Sequence, residues 1–242
     1  MTQRHETPRR PLWLRVLGLS TVVLFAVGAY LALVVSPPDV NQGQLIRMMY
    51  AHVSVAWVSF VAVIVTALYG MAFLWRGRPI DDTRAVANAE IATFFAGLTL
   101  VSGMTYSRPT LNTWWTWDAK LTLTALMFAL LVGYFVVRGL IDDPTRRGRV
   151  SAVIGIVVAV SLPFNYLAAA WFRTLHPTLS VAVTGVHIAP SMLFVLLFNV
   201  GVAALVYLTF VSERIRIGKL EHQRSEERER REEGAPGEVV RV

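Results

Sequence analysis

The stretch "LWLRVLGLSTVVLFAVGAYLALVV", Leu12 to Val35, carries one charge, Arg15, in 24 residues. Wound as an α-helix it would reach about 36 Å, enough to cross a hydrocarbon layer of about 30 Å. No small-x-small cleavage site precedes the following "VVSPPD", so the run reads as a retained anchor rather than a removable signal. Five further runs have the same character, at roughly 52–75, 85–106, 119–140, 150–171 and 180–211. The last is over-long and is expected to begin with an exposed turn or two. Composition agrees: the 242 residues are 55% hydrophobic and only 16% charged, with a mean hydropathy of +0.51. The expected fold is an all-α membrane protein with six transmembrane helices. It divides into a tail at 1–11, one membrane domain at 12–211 and a charged tail at 212–242.

The cations orient this fold, because Lys and Arg flanking the spans favour the cytoplasmic side. Arg4, Arg9, Arg10 and Arg15 lie at the N-terminus, Arg76, Arg78 and Arg84 around the second connection, and Arg138, Arg146, Arg147 and Arg149 around the fourth. Eight more follow from Arg214 onward. The other side holds only Arg47, Arg108, Lys120 and Arg173. Both termini are therefore expected in the cytoplasm. The net charge of +7 follows from this asymmetry and suits contact with anionic membrane lipids; cations so dispersed give no basis for nucleic-acid binding. The last thirty residues mix both signs without an apolar stripe and read as a solvated helix that frays.

The outward side concentrates unusual residues. "TWWTWDAK", Thr113 to Lys120, packs Trp114, Trp115 and Trp117 into four positions before span 4. Asp118 is placed to N-cap that span and meet its positive dipole end. Three indoles at headgroup depth serve either as an interfacial belt or as a face on which something flat is laid. His52, at the outer end of span 2, and His176, at the outer end of span 5, share that depth. Each alone suits a hydrogen-bonded structural role; as a pair beside an aromatic platform they suit the two axial positions of haem iron. Arg47, Arg108, Lys120 and Arg173 then match the haem propionates, or else simply solubilise loop edges.

Other features carry less. The chain has no cysteine, which excludes disulfides and covalent CxxCH haem attachment. No Walker loop, HExxH or Gly-x-Ser-x-Gly occurs, and no enzymatic activity is expected. His187 reads as a hydrogen-bonding residue near span 6, while His5 and His222 fall in the tails. Glu90 is an acidic residue inside a span, placed to snorkel or pair with Arg84. Pro163 and Pro190 are expected to kink spans 5 and 6.

"MYAHVSVAW", "TWWTWDAKLT" and "WFRTLHP" together resemble the CcmC-type haem-handling family of cytochrome c maturation, whose mark is W-G-x-x-W-x-W-D flanked by outward histidines. The resemblance runs from about residue 12 to 211. Trp115, Trp117 and Asp118 fall on the motif, and His52 and His176 on its histidines. Leu111 and Asn112 replace the motif's first Trp and its Gly, and Ser54 stands where the family often has proline. The resemblance implies non-covalent, transient binding of haem b at the outer, periplasmic face of the bacterial inner membrane. It also implies delivery to the haem chaperone CcmE, with the ABC transporter subunits CcmA and CcmB and the small membrane protein CcmD as partners. The alternatives are a haem b electron-transfer subunit of a respiratory complex, a larger haem-attaching synthetase, and a secondary transporter with a midplane polar site.

Overall fold

The computed structural model describes residues 10–172, 181–182, 185–186 and 188–234. Six helices dominate: α1 (Leu12–Tyr30), continued by a π-helical turn Leu31–Val35, α2 (Ile46–Arg76), α3 (Pro79–Leu111), α4 (Ala119–Gly139), α5 (Pro144–Trp171) and α6 (Pro190–Gly234). All six are long and apolar enough to cross a membrane, as the sequence leads one to expect. The helices run on past the apolar stretches, because polar residues at span ends still complete the backbone hydrogen bonds that a membrane interior demands.

Two expectations are corrected at the sixth span. Val181–Ala182 and Gly185–Val186 are not helical but pair antiparallel, Val181 opposite Val186, a short ladder suited to β-branched valines. α6 begins at Pro190, which therefore starts the helix instead of kinking it, since a first-turn residue needs no N–H partner. Pro163 does lie inside α5. At its other end α6 continues unbroken through the charged segment to Gly234. Its 45 residues would measure about 68 Å, twice the hydrocarbon thickness. Glu213–Arg216 and His222–Glu226 pairs one turn apart line that extension.

α3 is the centre of the bundle, packing on α2, α4, α5 and α6. Half of its apolar segment is buried, against 17% for α1 and α4. The sequence prepares it for this with Ala85, Ala87, Ala89, Ala92 and Ala96, all buried. Small side chains let helix backbones approach where lipid gives no hydrophobic drive between them. Val58, Ala62, Val63, Phe95, Met127, Leu131 and Val158 fill the space around them. α2 and α5 approach backbone to backbone, and a Cβ on Gly70 would stand 3.2 Å from the Ala152 Cα.

The N-terminal half of α3 also carries the acidic residues that tie the bundle together. Arg138 of α4 grips Asp82 with two hydrogen bonds, 2.6 and 2.9 Å, and reaches Ser151 of α5 at 3.2 Å. Arg214 of α6 grips Glu90 in the same forked way, at 2.5 and 2.9 Å. Glu90 thus pairs across helices, while Arg84 sits 3.5 Å from Asp81 and over the Tyr69 ring. Planar guanidinium groups meeting carboxylates with two bonds apiece are the strong form of such contacts.

The Arg138–Asp82 pair is largely buried, at 16% and 18% side-chain exposure. Removing one partner, in Arg138→Ala or Asp82→Ala, should each cost about 2–4 kcal/mol by stranding the other charge. The double variant should cost less than the sum of the singles. Thermal unfolding of the four proteins in one detergent checks this; strictly additive losses would show that the pair does not couple α3 to α4.

Candidate functional site

His52 lies six residues into α2, because the helix starts at Ile46, earlier than its apolar stretch. Its half-buried ring faces α3. The Nδ1 is 3.0 Å from Ser102 Oγ, the Tyr106 ring lies 6.5 Å away between centroids, and a Cβ on Gly103 would stand 3.0 Å from His52 Cε1. Residues 102, 103 and 106 share one face of α3, so a single turn of helix supplies these three neighbours.

The connection between α1 and α2 closes over this turn. Asp39 accepts from the backbone N–H groups of Asn41 at 2.9 Å and Gln42 at 2.8 Å, and pairs both ways with Gly43. Those N–H groups, that of Gln42 above all, hold the Asp39 carboxyl below its usual range. Gln42 is thereby presented to Tyr106, whose hydroxyl donates to Gln42 Oε1. Ser36 and Tyr50 share a buried 2.6 Å hydrogen bond beneath the same connection.

The tryptophan segment follows directly from the outer end of α3. That helix ends on Asn112 in the left-handed region, φ 55°, a conformation open to glycine and, at modest cost, to asparagine. Asn112 therefore does the backbone work of the motif's glycine. Asp118 caps α4 as expected, its carboxylate accepting from the Leu121 N–H at 2.9 Å. Trp115 and Trp117 meet edge to face, 5.6 Å between centroids and 80° between planes, so these two indoles form a corner rather than a flat ledge. Trp117 is 83% and Trp114 56% exposed. The Trp115 Nε1–H is buried and meets no acceptor among the described residues.

The outward cations are held by separate partners. Lys120 Nζ lies 3.5 Å from the Asn165 carbonyl. Asn165 is fully buried, donates to Thr124 Oγ1 at 3.0 Å, and keeps its Oδ1 without a donor among the described residues. Arg47 donates to the Ser36 carbonyl at 3.4 Å while its buried Nε meets no acceptor there. Arg108 is exposed and donates to Asn112 Oδ1. Arg173, His176 and His187 lie outside the described residues. Gln42, Ser102, Gly103, Tyr106, Thr124 and Asn165 are additions that the sequence reading missed. Asn165 alone had a signal there, as an amide inside an apolar run.

Two buried donors at the outer end, Arg47 Nε and Trp115 Nε1, thus await acceptors, and two tryptophans expose their indole faces. That donor set fits a flat apolar ligand edged with carboxylates, as haem is. Comparison with known proteins points the same way. The model of the family described as heme exporter protein C matches residues 7–230. Heme exporter protein C of Bradyrhizobium diazoefficiens is 36% identical over 166 residues, 68% of this chain and 62% of that protein. A putative cytochrome c biosynthesis ccmC-like mitochondrial protein of Arabidopsis thaliana is 32% identical over 180 residues, 74% of this chain and 68% of that one. Heme exporter protein C of Escherichia coli K12 is 30% identical over 163 residues, 66% and 65%. The chain thus spans slightly under two thirds of the length of these two bacterial relatives.

The left-handed backbone of Asn112 sets a clear expectation. Asn112→Gly should leave stability unchanged or raised, whereas Asn112→Val should cost about 1–2 kcal/mol and loosen the tryptophan segment. Unfolding curves, with protease cleavage between α3 and α4 as a local readout, distinguish the two; equal behaviour would show that φ at this position is unconstrained.

Proposed function

The chain belongs to the heme exporter protein C family, and from that premise we propose that it binds haem at the periplasmic face of the inner membrane and passes it to the chaperone CcmE. What supports this most directly is one end of the bundle: His52 is held against α3, and the segment that follows α3 exposes Trp114 and Trp117 and leaves the Trp115 N–H without an acceptor among the described residues. The charge asymmetry supports a cytoplasmic position for both termini. The site then opens outward.

In this reading haem b is a cargo held without covalent bonds. His52 and His176 supply imidazole to its iron, the indoles of Trp114, Trp115 and Trp117 hold the ring edge, and Arg47, Arg108, Lys120 and Arg173 face the propionates. Asp118 keeps the tryptophan segment joined to α4 through its cap. Transfer needs only ligand exchange, with no chemical turnover by this chain. CcmA and CcmB as ABC transporter subunits, and CcmD, complete the proposed assembly, with the cation-rich inner surface also meeting anionic lipid.

A visible spectrum of the purified protein tests the reading. His52→Ala and His176→Ala should each weaken haem retention and shift the Soret band, with His187→Ala close to wild type; an unchanged band in His52→Ala removes that ligand from the site. Trp115→Phe and Trp117→Phe should insert normally yet carry less haem, since a belt needs only aromatic character whereas a ligand face needs indole area. In this cysteine-free chain, single cysteines placed at 107–118 should react with an impermeant label from outside; labelling only from the cytoplasm would invert the topology.

A further inference from the structure

The surround of His52 determines more than where the ring sits. Ser102 Oγ lies 3.2 Å from the Thr99 carbonyl one turn back on α3 and 3.0 Å from His52 Nδ1. A serine hydroxyl has one proton and two lone pairs. Directed at the Thr99 carbonyl, which can only accept, that proton is not available to the imidazole. With the hydroxyl so directed, the oxygen faces Nδ1 as an acceptor, the arrangement that matches a proton on Nδ1. In a neutral imidazole this makes Nε2 the lone-pair nitrogen, the form in which histidine binds a metal.

The adjacent residue leaves room for the same ring. A Cβ on Gly103 would stand 3.0 Å from His52 Cε1, 3.7 Å from Nδ1 and 3.9 Å from Nε2. The ring carbon between the two nitrogens therefore rests against Gly103, close enough that a methyl group there would require the ring to give by a few tenths of an ångström. Tyr106, one turn from Ser102, borders the ring at 57° between planes and is anchored by Gln42. Hydroxyl, gap and aromatic wall come from one face of α3, the most buried helix of the bundle.

We infer that Ser102 and Gly103 are positioning residues for His52: Ser102 sets the Nδ1–H tautomer, which leaves Nε2 as the nitrogen able to ligate iron, and Gly103 leaves room for the ring to lie against α3. The inference rests on the reading of His52 as a haem ligand, but its first consequence, the tautomer, belongs to the haem-free protein. Outer groups that orient a ligating histidine typically contribute about 10–100-fold in metal affinity. Ser102 could have been read as a helix serine bonded only to its own backbone; the 3.0 Å contact with Nδ1 is what that reading leaves unexplained.

The test uses the full-length haem-free protein in nanodiscs with 15N-labelled histidine, the His52 signals being identified by their loss in His52→Ala. The expected wild-type spectrum shows a protonated Nδ1 and an unprotonated Nε2. Ser102→Ala should move the population toward the Nε2–H form, and Ser102→Thr, which keeps the hydroxyl, should restore the wild-type pattern. On haem titration Ser102→Ala should bind about tenfold more weakly, with Ser102→Thr near wild type. Gly103→Ala should displace the ring resonances and shift the Soret band while the protein stays folded by circular dichroism. A wild-type His52 in the Nε2–H form, or a tautomer indifferent to Ser102→Ala, overturns the inference even if haem binds normally. Full haem retention by His52→Ala alongside the expected tautomer change would instead defeat the ligand reading, and with it the assignment of Nε2 to iron, while leaving the Ser102 effect on the ring standing.

Discussion

A hydrocarbon layer offers no hydrogen bonds, and that single constraint governs this chain. Each backbone N–H and C=O inside the layer must be satisfied within its own segment, so the apolar runs have no spanning form open to them except the helix. Once six helices are required, lipid gives them little reason to pack, and association depends on close approach and on polar contacts. α3 supplies both. Its alanines let neighbours come near, and its inner-end carboxylates Asp82 and Glu90 accept forked bonds from Arg138 and Arg214.

The division of labour along α3 follows from the same constraint. Its N-terminal half holds the ion pairs with Arg138 of α4 and Arg214 of α6. Its outer half holds no carboxylate; it offers small polar surfaces instead, the Ser102 hydroxyl and the open Cα of Gly103, and these receive His52. A rigid buried helix is a better support for a ligand than a loop, because its side chains cannot drift apart independently. The tryptophan segment, by contrast, is irregular backbone placed outside the helices. It is joined to them at two points, the left-handed Asn112 that ends α3 and the Asp118 cap that starts α4.

Unmet polar groups divide between the two ends. At the end of the bundle where α3 begins, one Asp81 oxygen and Arg147 Nε lack partners among the described residues. At the other end Arg47 Nε and Trp115 Nε1 lack acceptors there and Asn165 Oδ1 lacks a donor. A buried donor with nothing to bond costs about 1–3 kcal/mol, so two of them at one end of a bundle favour a ligand that brings acceptors. This is the physical content of the proposed propionate contacts.

Hydropathy alone determined the class, the number of helices and where five of them lie, because periodicity hardly matters when a run is apolar all round and long enough to span. Charge placement supported an orientation, and motif spacing singled out His52, Trp115, Trp117 and Asp118, together with the Asp118 cap that the helix then formed. The sixth span misled, since Val181 and Val186 are as apolar in a β-ladder as in a helix and hydropathy cannot tell the two apart. The partner of Glu90 was equally hidden: Arg84 is near in sequence, but Arg214, 124 positions away, is near in space. Ser102, Gly103 and Tyr106 look like ordinary helix residues until α2 is packed against α3, and Asn112 looks like a departure from its motif until its φ is known. Local composition decides what a membrane segment can be, whereas the contacts that orient a ring or pair a charge exist only once distant helices have been brought together.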